Sequence, residues 1–306
     1  MCSTIPLAPS LEEEVAPLTA EFYRRALRVL VDADVPFLVG GAFAHACFTG
    51  IRRSTKDLDL FIRREDYDRV AALMQAEGWR NEMPYPHWLA KVYAGEDFID
   101  LIFNSGNGLT PVDDAWFHDN AQAEILGVPV RVANMEDGLL SKSFIMERER
   151  YDGADVAHTI QANAERIDWD RLVERFGPHW RVLLAHLTLF GFIYPGERDR
   201  IPAWVMQHLM RKLADETQHP PEEDLRICGG TLLSREQYLH DVENLGYVDG
   251  RLTPVSTMTP DDVRTWTEAI PARQAAAAEA AEAAERPACE LAPLGIALEP
   301  RIPPFA

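Results

Sequence analysis

The 306-residue chain has only four cysteines, Cys2, Cys47, Cys228 and Cys289, and they are widely spaced. No two of them form a Cys-x-x-Cys pair, and none lies near histidines at the spacing of a zinc motif. This pattern is typical of free thiols in a reducing compartment, so we expect a cytoplasmic protein.

Long apolar runs are also missing. The longest one, from Val182 to Tyr194, includes His186 and is too short to span a bilayer. Near the start of the chain, residues 11–14 (Leu-Glu-Glu-Glu) are charged where a signal segment would be apolar. We therefore expect a soluble protein with no membrane partner.

Positive charge is scarce, since 30 lysines and arginines stand against 49 aspartates and glutamates, for a formal net charge of -19. Such a field repels polyanions, so no extended nucleic-acid footprint is expected. A local basic cluster is nevertheless present at Arg52, Arg53 and Lys56. The charge therefore argues against tracking along nucleic acid, but not against a nucleotide held by metal and a few placed cations.

Apolar spacing over the first 133 residues predicts helices alternating with short strands. A hydrophobic fraction of 47% is ordinary for a chain long enough to bury one large core or two modest ones. The order of elements favours an α+β fold, with a small mixed sheet and helices packed on one side. Helices are predicted at 11–33, 42–48 and 65–77, and strands at 37–39, 58–62, 88–93, 98–103 and 128–132.

From residue 134 onward the spacing is mainly helical, with helices predicted at 154–164, 178–193 and 202–216. Asn134 is predicted to cap a helix, and Ser234 with Gln237 has the spacing of a capping box. Residues 272–286 are rich in alanine and glutamate, which favours a surface helix, and the prolines after it predict an extended tail. These changes predict three parts, 1–133, 134–270 and 271–306.

The most specific pattern is a pair of alternating aspartates, Asp57 and Asp59, with leucines between and after them. Alternate side chains of a strand share a face, so both carboxylates point the same way. Asp100 lies inside the apolar segment 98–103, where an unpaired charge is costly to bury. If the two strands are neighbours, three carboxylates converge, and each raises the pKa of the others unless a cation neutralises them.

Carboxylate oxygens suit Mg²⁺, or Mn²⁺ in its place, bound together with substrate phosphates. The apolar segment 37–39 ends in Gly40 and Gly41, which allow the backbone to approach a phosphate closely. A helix that follows would offer its N-terminal N–H groups to the anion. The pattern therefore predicts metal-dependent phosphoryl-transfer chemistry.

This arrangement resembles the nucleotidyltransferase superfamily that shares the palm fold of DNA polymerase beta. A Gly-Gly turn, a short helix, an Asp-x-Asp strand and a third carboxylate on a neighbouring strand carry the resemblance, which covers roughly residues 25–165. The lead-in from Gly50 to Lys56 is similar to bacterial minimal nucleotidyltransferases and to the AbiEii-type toxin group. Lys142, Arg148 and the run from Tyr151 to Asp155 are similar to the basic-then-acidic helical motif that follows the sheet in that group.

The resemblance implies an NTP co-substrate such as ATP, catalysis in residues 1–133, and a substrate or accessory role for residues 134–270. It implies that Asp57, Asp59 and Asp100 are the catalytic metal ligands. The residues implied to bind the nucleotide are Gly40, Gly41, Arg53, Thr55 and Lys142.

Structural roles remain open for several of these positions. Lys142 could be a solvated helix lysine, and Arg53 could brace a loop. Asp152 and Asp155 have the spacing of charges at a helix start. His45 lies in an apolar pattern and is predicted to be a core histidine.

The leading hypothesis is an Mg²⁺-dependent nucleotidyltransferase that transfers NMP to a hydroxyl. The acceptor is a small molecule, a protein side chain or an RNA end, and the sequence does not choose among them. Two alternatives stay open: a catalytically silent binding or regulatory protein of the same fold, and a phosphohydrolase that uses water as acceptor.

Overall fold

A computed structural model describes residues 15–52, 55–220 and 226–271. The predicted alanine-rich helix and proline-rich tail lie outside these residues. The chain divides into two compact units after Thr267. The helices and strands described here belong to the first unit, except for Glu268, the last residue of the C-terminal helix. Within the described ranges, no helix is both long and apolar enough to cross a membrane.

A five-stranded mixed sheet organises the N-terminal part, in the order β1-β2-β5-β4-β3. Strands β2 and β5 are parallel, and the other neighbours in the sheet are antiparallel. The mixed sheet confirms the predicted α+β class. The strands are β1 (Leu38–Val39), β2 (Asp57–Phe61), β3 (Arg80–Tyr85), β4 (Leu89–Ala94) and β5 (Asp97–Ile102).

Three helices and a hairpin accompany this sheet. Helix α2 packs against β2, α3 packs against β3, and α1 contacts both α3 and the second strand of the hairpin. Val132, the residue after that strand, forms an isolated bridge with Val39 of β1. The elements are α1 (Pro17–Asp32), α2 (Gly41–Thr49), α3 (Tyr67–Ala76), β6 (Gln122–Ile125) and β7 (Val128–Arg131).

Helix α1 begins at Pro17, later than the predicted start at residue 11. Proline suits the first helical position because its missing N–H would have no partner there, so Pro17 is well placed at the start of the helix. Phe22, Ala26 and Leu30 of the predicted apolar face are buried, whereas Leu18 is 79% exposed.

Strand β3 was not predicted from the sequence. It forms the edge of the sheet, and its side chains alternate between exposed and partly buried, so apolar residues do not mark it. Its pairing with β4 is irregular between Glu82 and Tyr85, next to Pro84. Proline lacks the N–H that a central strand needs and is tolerated at such an edge.

The described residues from 134 to 271 are mainly helical, as predicted. Helix α4 packs on α5 and α6, α5 packs on α2 and α7, and α7 packs on α8. The elements are α4 (Met135–Ser143), α5 (Gly153–Asn163), α6 (Trp169–Phe176), α7 (Trp180–Ile193), α8 (Ala203–Gln218), β8 (Ile227–Cys228), α9 (Leu239–Asn244), β9 (Val248–Asp249) and α10 (Pro260–Glu268).

Two predicted helix caps differ from the structure. Asn134 precedes α4, but its side chain accepts no hydrogen bond from the helix, and its Nδ2 donates to the carbonyl of His118. The Ser234 hydroxyl accepts from the N–H of Gln237 at 3.1 Å, as a cap would, yet the helix begins only at Leu239. In both cases the side chain has a tertiary partner, which for Ser234 is Glu147.

Buried hydrophobic residues form two larger clusters, one drawn from residues 15–132 and the other from residues 139–232. Between α4 and α6, the fully buried Asp137 binds Arg171 at 2.8 Å and Arg175 at 2.7 Å. The division into domains at residues 134 and 271 stays a prediction.

Candidate active site

The three predicted carboxylates lie together. Parallel pairing of β2 with β5 sets Asp59 directly opposite Asp100. The alternation along β2 puts Asp57 on the same face as Asp59, while Leu58 and Leu60 are fully buried beneath. Ligand oxygens of Asp57, Asp59 and Asp100 lie within 4.8 Å of one another. This spacing allows them to share a cation.

The two glycines bring the backbone against this cluster. The Gly40 N–H donates to the carbonyl of Asp59 at 2.9 Å, and α2 begins at the next residue. Gly41 has a φ of +54°, and a Cβ there would lie 1.7 Å from Asp59 Oδ2. A Cβ on Gly40 would lie 2.2 Å from the ring of Phe61. Only glycine at both positions lets the start of α2 lie this close to the carboxylates.

Burial and mutual repulsion make the cluster electrostatically unfavourable in the absence of a cation. Burial, followed by the charges of Asp57 and Asp100, raises the pKa of Asp59 from 3.8 to about 7. Burial likewise raises the pKa of Asp100. Lys142 and Arg150 act against this by lowering the pKa of Asp59. The surroundings therefore favour an added positive charge at this position.

Lys91 is a member of the site that was not identified from the sequence. Its Nζ lies 2.5 Å from Asp100 Oδ1 and 4.0 Å from the centre of the Phe98 ring, and it lowers the pKa of Asp100. Strands β4 and β5 pair antiparallel from Ala94 and Asp97 at the turn, and this register places Lys91 opposite Asp100. A lysine in the middle of an apolar strand, counted back from the predicted hairpin, was the signal that could have found it.

Thr55 contacts a carboxylate of the cluster. Its hydroxyl donates to Asp57 Oδ1 at 2.8 Å and also lies 3.0 Å from the Asp57 carbonyl oxygen. Thr55 thus orients Asp57, and its predicted contact with a nucleotide stays a prediction. Arg53, the other predicted residue of this loop, lies outside the described residues.

Lys142 lies at the edge of the site, paired with acidic side chains. Its Nζ is 2.6 Å from Asp155 Oδ2 and 3.2 Å from Asp152 Oδ2. It is close enough to Asp59 to lower the pKa of that carboxyl. The two aspartates at the start of α5 therefore hold a lysine from α4, a role that their spacing in the sequence did not indicate.

Arg150 is the second cation that sequence reasoning missed. Its guanidinium binds Asp152 through Nε at 3.0 Å and Nη2 at 2.9 Å. Asp152, and then Asp59 and Asp57, raise the pKa of Arg150. The loop that carries it closes through a hydrogen bond of 2.8 Å from the Glu147 N–H to the Arg150 carbonyl. The sequence pattern had drawn attention to Arg148 instead.

Tyr23 of α1 supports the site from below. Its hydroxyl donates to the carbonyl of Lys56 at 3.2 Å, just before β2. Burial, with the charge of Asp57 next in importance, raises its pKa. A neutral phenol here holds the entry to β2 without adding negative charge.

Several solved structures are similar to this chain at low identity. A solution structure of the antibiotic-resistance factor ANT(2'')-Ia is 16% identical over 67% of this chain and 98% of its own, with a TM-score of 0.34. The lincosamide antibiotic adenylyltransferase LnuA, with lincomycin bound, is 16% identical over 49% of this chain and 99% of its own, with a TM-score of 0.35. JHP933 from Helicobacter pylori is 13% identical over 67% of this chain and 97% of its own, with a TM-score of 0.30. At these values the likenesses carry no argument about the reaction.

Family membership comes from the sequence itself. No curated protein matches the chain. Residues 22–182, however, match the model of a family described as uncharacterised nucleotidyltransferases. This segment contains the glycine turn, the three clustered carboxylates, Lys142 and Arg150. Since it makes up more than half of the 306 residues, the chain belongs to that nucleotidyltransferase family.

Proposed function

We propose that the protein is a Mg²⁺-dependent enzyme that transfers NMP from an NTP to a hydroxyl acceptor. The observation that carries this proposal is the convergence of Asp57, Asp59 and Asp100 within 4.8 Å, beside the glycine turn. Membership of a nucleotidyltransferase family supports the reaction class and does not favour a catalytically silent protein.

The donor set fits Mg²⁺, or Mn²⁺ in its place. All three residues are carboxylates, which hard divalent cations prefer, and burial, followed by the charges of neighbouring carboxylates, raises the pKa of both Asp59 and Asp100. Asp57, Asp59 and Asp100 would hold the metal. When bound, it would neutralise charge on the triphosphate and stabilise the leaving pyrophosphate.

The glycine turn and the neighbouring cations would position the nucleotide. Because Gly40 and Gly41 have no side chains, phosphate oxygens can approach the first N–H groups of α2. Lys142 and Arg150, both held by Asp152, would add positive charge near Asp59. These groups lower the barrier mainly by orientation and by electrostatic stabilisation.

In the proposed step, the acceptor oxygen bonds to the α-phosphorus, and the bond to the bridging oxygen breaks, so pyrophosphate leaves with the electron pair. Asp100 accepts the hydroxyl proton. Lys91 Nζ, 2.5 Å from Asp100 Oδ1, orients this carboxylate.

The test measures Mg²⁺-dependent pyrophosphate release with each NTP. Asp57→Asn with Asp59→Asn should abolish release, whereas Asp68→Asn, which alters an exposed carboxylate on α3, should not. Equal rates in the wild type and the double variant would refute the catalytic assignment. Free NMP without a modified acceptor would instead support hydrolysis.

The acceptor can then be found by labelling. The protein is incubated with labelled NTP and separated fractions of small molecules, proteins and RNA from a cell extract. Label that appears in one fraction with the wild type, and not with the double variant, identifies the acceptor class. We expect no label along extended RNA, because a net charge of -19 opposes a long polyanion.

A further inference from the structure

A second cluster of potential metal ligands joins helices α2 and α5. His45 on α2, together with Asp155 and His158 on α5, offers three ligand atoms within 4.8 Å of one another. His45 and Asp155 are buried, with 7% and 5% of their surfaces exposed. Two imidazoles and one carboxylate make this donor set chemically different from the three aspartates of the active site.

Neighbouring side chains orient these ligands. The Nδ1 atom of His45 lies 3.5 Å from Thr159 Oγ1, so the ring turns its Nε2 atom toward Asp155. Lys142 binds Asp155 Oδ2 at 2.6 Å, and Oδ1 is the oxygen that faces His45. The Nδ1 atom of His158 is buried without a hydrogen-bond partner among the described residues. Outer contacts of this kind fix the orientation of metal ligands in proteins.

We propose that His45, Asp155 and His158 form a zinc site that links α2 to α5. Zn²⁺ accepts histidine nitrogen and carboxylate oxygen together, whereas Mg²⁺ favours oxygen alone. In a tetrahedral site with bonds of about 2.0–2.2 Å, two ligand atoms are about 3.4 Å apart. His45 Nε2 and Asp155 Oδ1 are 3.8 Å apart, so a small rotamer adjustment brings them to that distance.

The site has a clear structural consequence. Helix α2 follows the glycine turn, and α5 carries Asp155, which holds Lys142. A metal here would clamp the two helices that place these groups beside the carboxylates. With three protein ligands, it would keep one position for water. The proposal does not rest on the proposed reaction.

Binding of Co²⁺, which reports tetrahedral coordination by its visible absorption, tests the proposal. Metal-free protein is titrated with Co²⁺ in excess Mg²⁺, so that Mg²⁺ occupies the carboxylate site. The wild type should bind one Co²⁺ with tetrahedral bands, and Zn²⁺ should displace it. Absence of these bands in the wild type would overturn the proposal.

Three variants identify the ligand. His158→Gln should weaken Co²⁺ binding by more than about 100-fold, because the loss of an outer contact alone costs about 10–100-fold. His158→Cys should keep the visible bands and add a thiolate-to-Co²⁺ absorption in the near ultraviolet. That gain also shows that the variant is folded. His219→Gln alters an exposed His–Asp pair at the C-terminal end of α8 and should leave the titration unchanged. Unchanged Co²⁺ binding by His158→Gln would overturn the assignment.

Discussion

Replacing Gly41 by alanine tests whether close approach of the backbone to Asp59 is needed for nucleotide binding. The φ of +54° costs an L-residue about 1–2 kcal/mol. The added Cβ would lie 1.7 Å from Asp59 Oδ2, so the carboxylate must move by more than about 1 Å. Displacing a packed group adds about 1–3 kcal/mol, which gives a total of about 2–5 kcal/mol.

Function should suffer more than stability. A displacement of about 1 Å at a catalytic site lowers the rate by about 100-fold. We therefore expect Gly41→Ala to lose Mg²⁺-dependent pyrophosphate release by at least that factor. Calorimetry should show a matching loss of Mg²⁺-dependent NTP binding, and thermal unfolding gives the stability change.

Gly95→Ala is the matched control. Gly95, in the turn between β4 and β5, has a φ of +66°, and a Cβ there would meet nothing within 4 Å. Its strain is therefore similar, at about 1–2 kcal/mol, but no carboxylate of the cluster moves. Gly95→Ala should have a slightly lower melting temperature than the wild type and keep the wild-type NTP binding and rate of pyrophosphate release. The reasoning is refuted if Gly41→Ala binds Mg²⁺ and NTP like Gly95→Ala.

Three further predictions concern buried charges. The pKa of Asp59 rises from 3.8 to about 7 on folding, so the folded protein binds the carboxyl proton more tightly than the unfolded chain does. Without metal, the free energy of unfolding should therefore fall by up to about 4 kcal/mol as the pH rises from about 4 to about 7. Melting curves with and without Mg²⁺ should show this fall only without metal, and parallel profiles for wild type and Asp59→Asn would contradict it. Lys91→Met leaves Asp100 buried without its cation, so the free energy of unfolding should fall by about 1–3 kcal/mol in thermal unfolding. Adding Asp100→Asn to this variant should recover most of the lost free energy, and no recovery would disprove the pairing. Arg251→Met leaves the carboxylate of Asp249, which is only 5% exposed, without its cation. The free energy of unfolding should fall by about 3–5 kcal/mol in the same assay. A variant with the wild-type melting temperature would show that the ion pair contributes nothing to stability.

The central elements of the sheet were predictable because each has a local signal. Strand β2 was expected at 58–62 and spans Asp57–Phe61, and the helix expected at 42–48 spans Gly41–Thr49. Strand β3 carries no such signal, since an edge strand buries little and Pro84 argues against a central strand. The resemblance to nucleotidyltransferases is confirmed by the family match, while likeness to AbiEii-type toxins stays a prediction.

The supporting residues of the site were harder to find from the sequence. Lys91 lies on the strand next to Asp100, where only counting back from the hairpin could have located it, and Arg150 lies far along the chain from Asp59, whose pKa it lowers. His45 was expected to be an ordinary core histidine, and only the packing of α2 on α5 brings it to Asp155 and His158. The partners of such groups depend on which elements pack together.

The sequence alone determined which carboxylates could act together, because period-two alternation aligns Asp57 with Asp59 and a charge inside an apolar strand requires a partner. It also predicted a glycine turn at Gly40 and Gly41 that allows close approach of a phosphate. The tertiary structure decided the rest: the parallel register that sets Asp59 opposite Asp100, and the cations that surround them. Register and helix packing come from contacts between distant segments, and no local pattern records them.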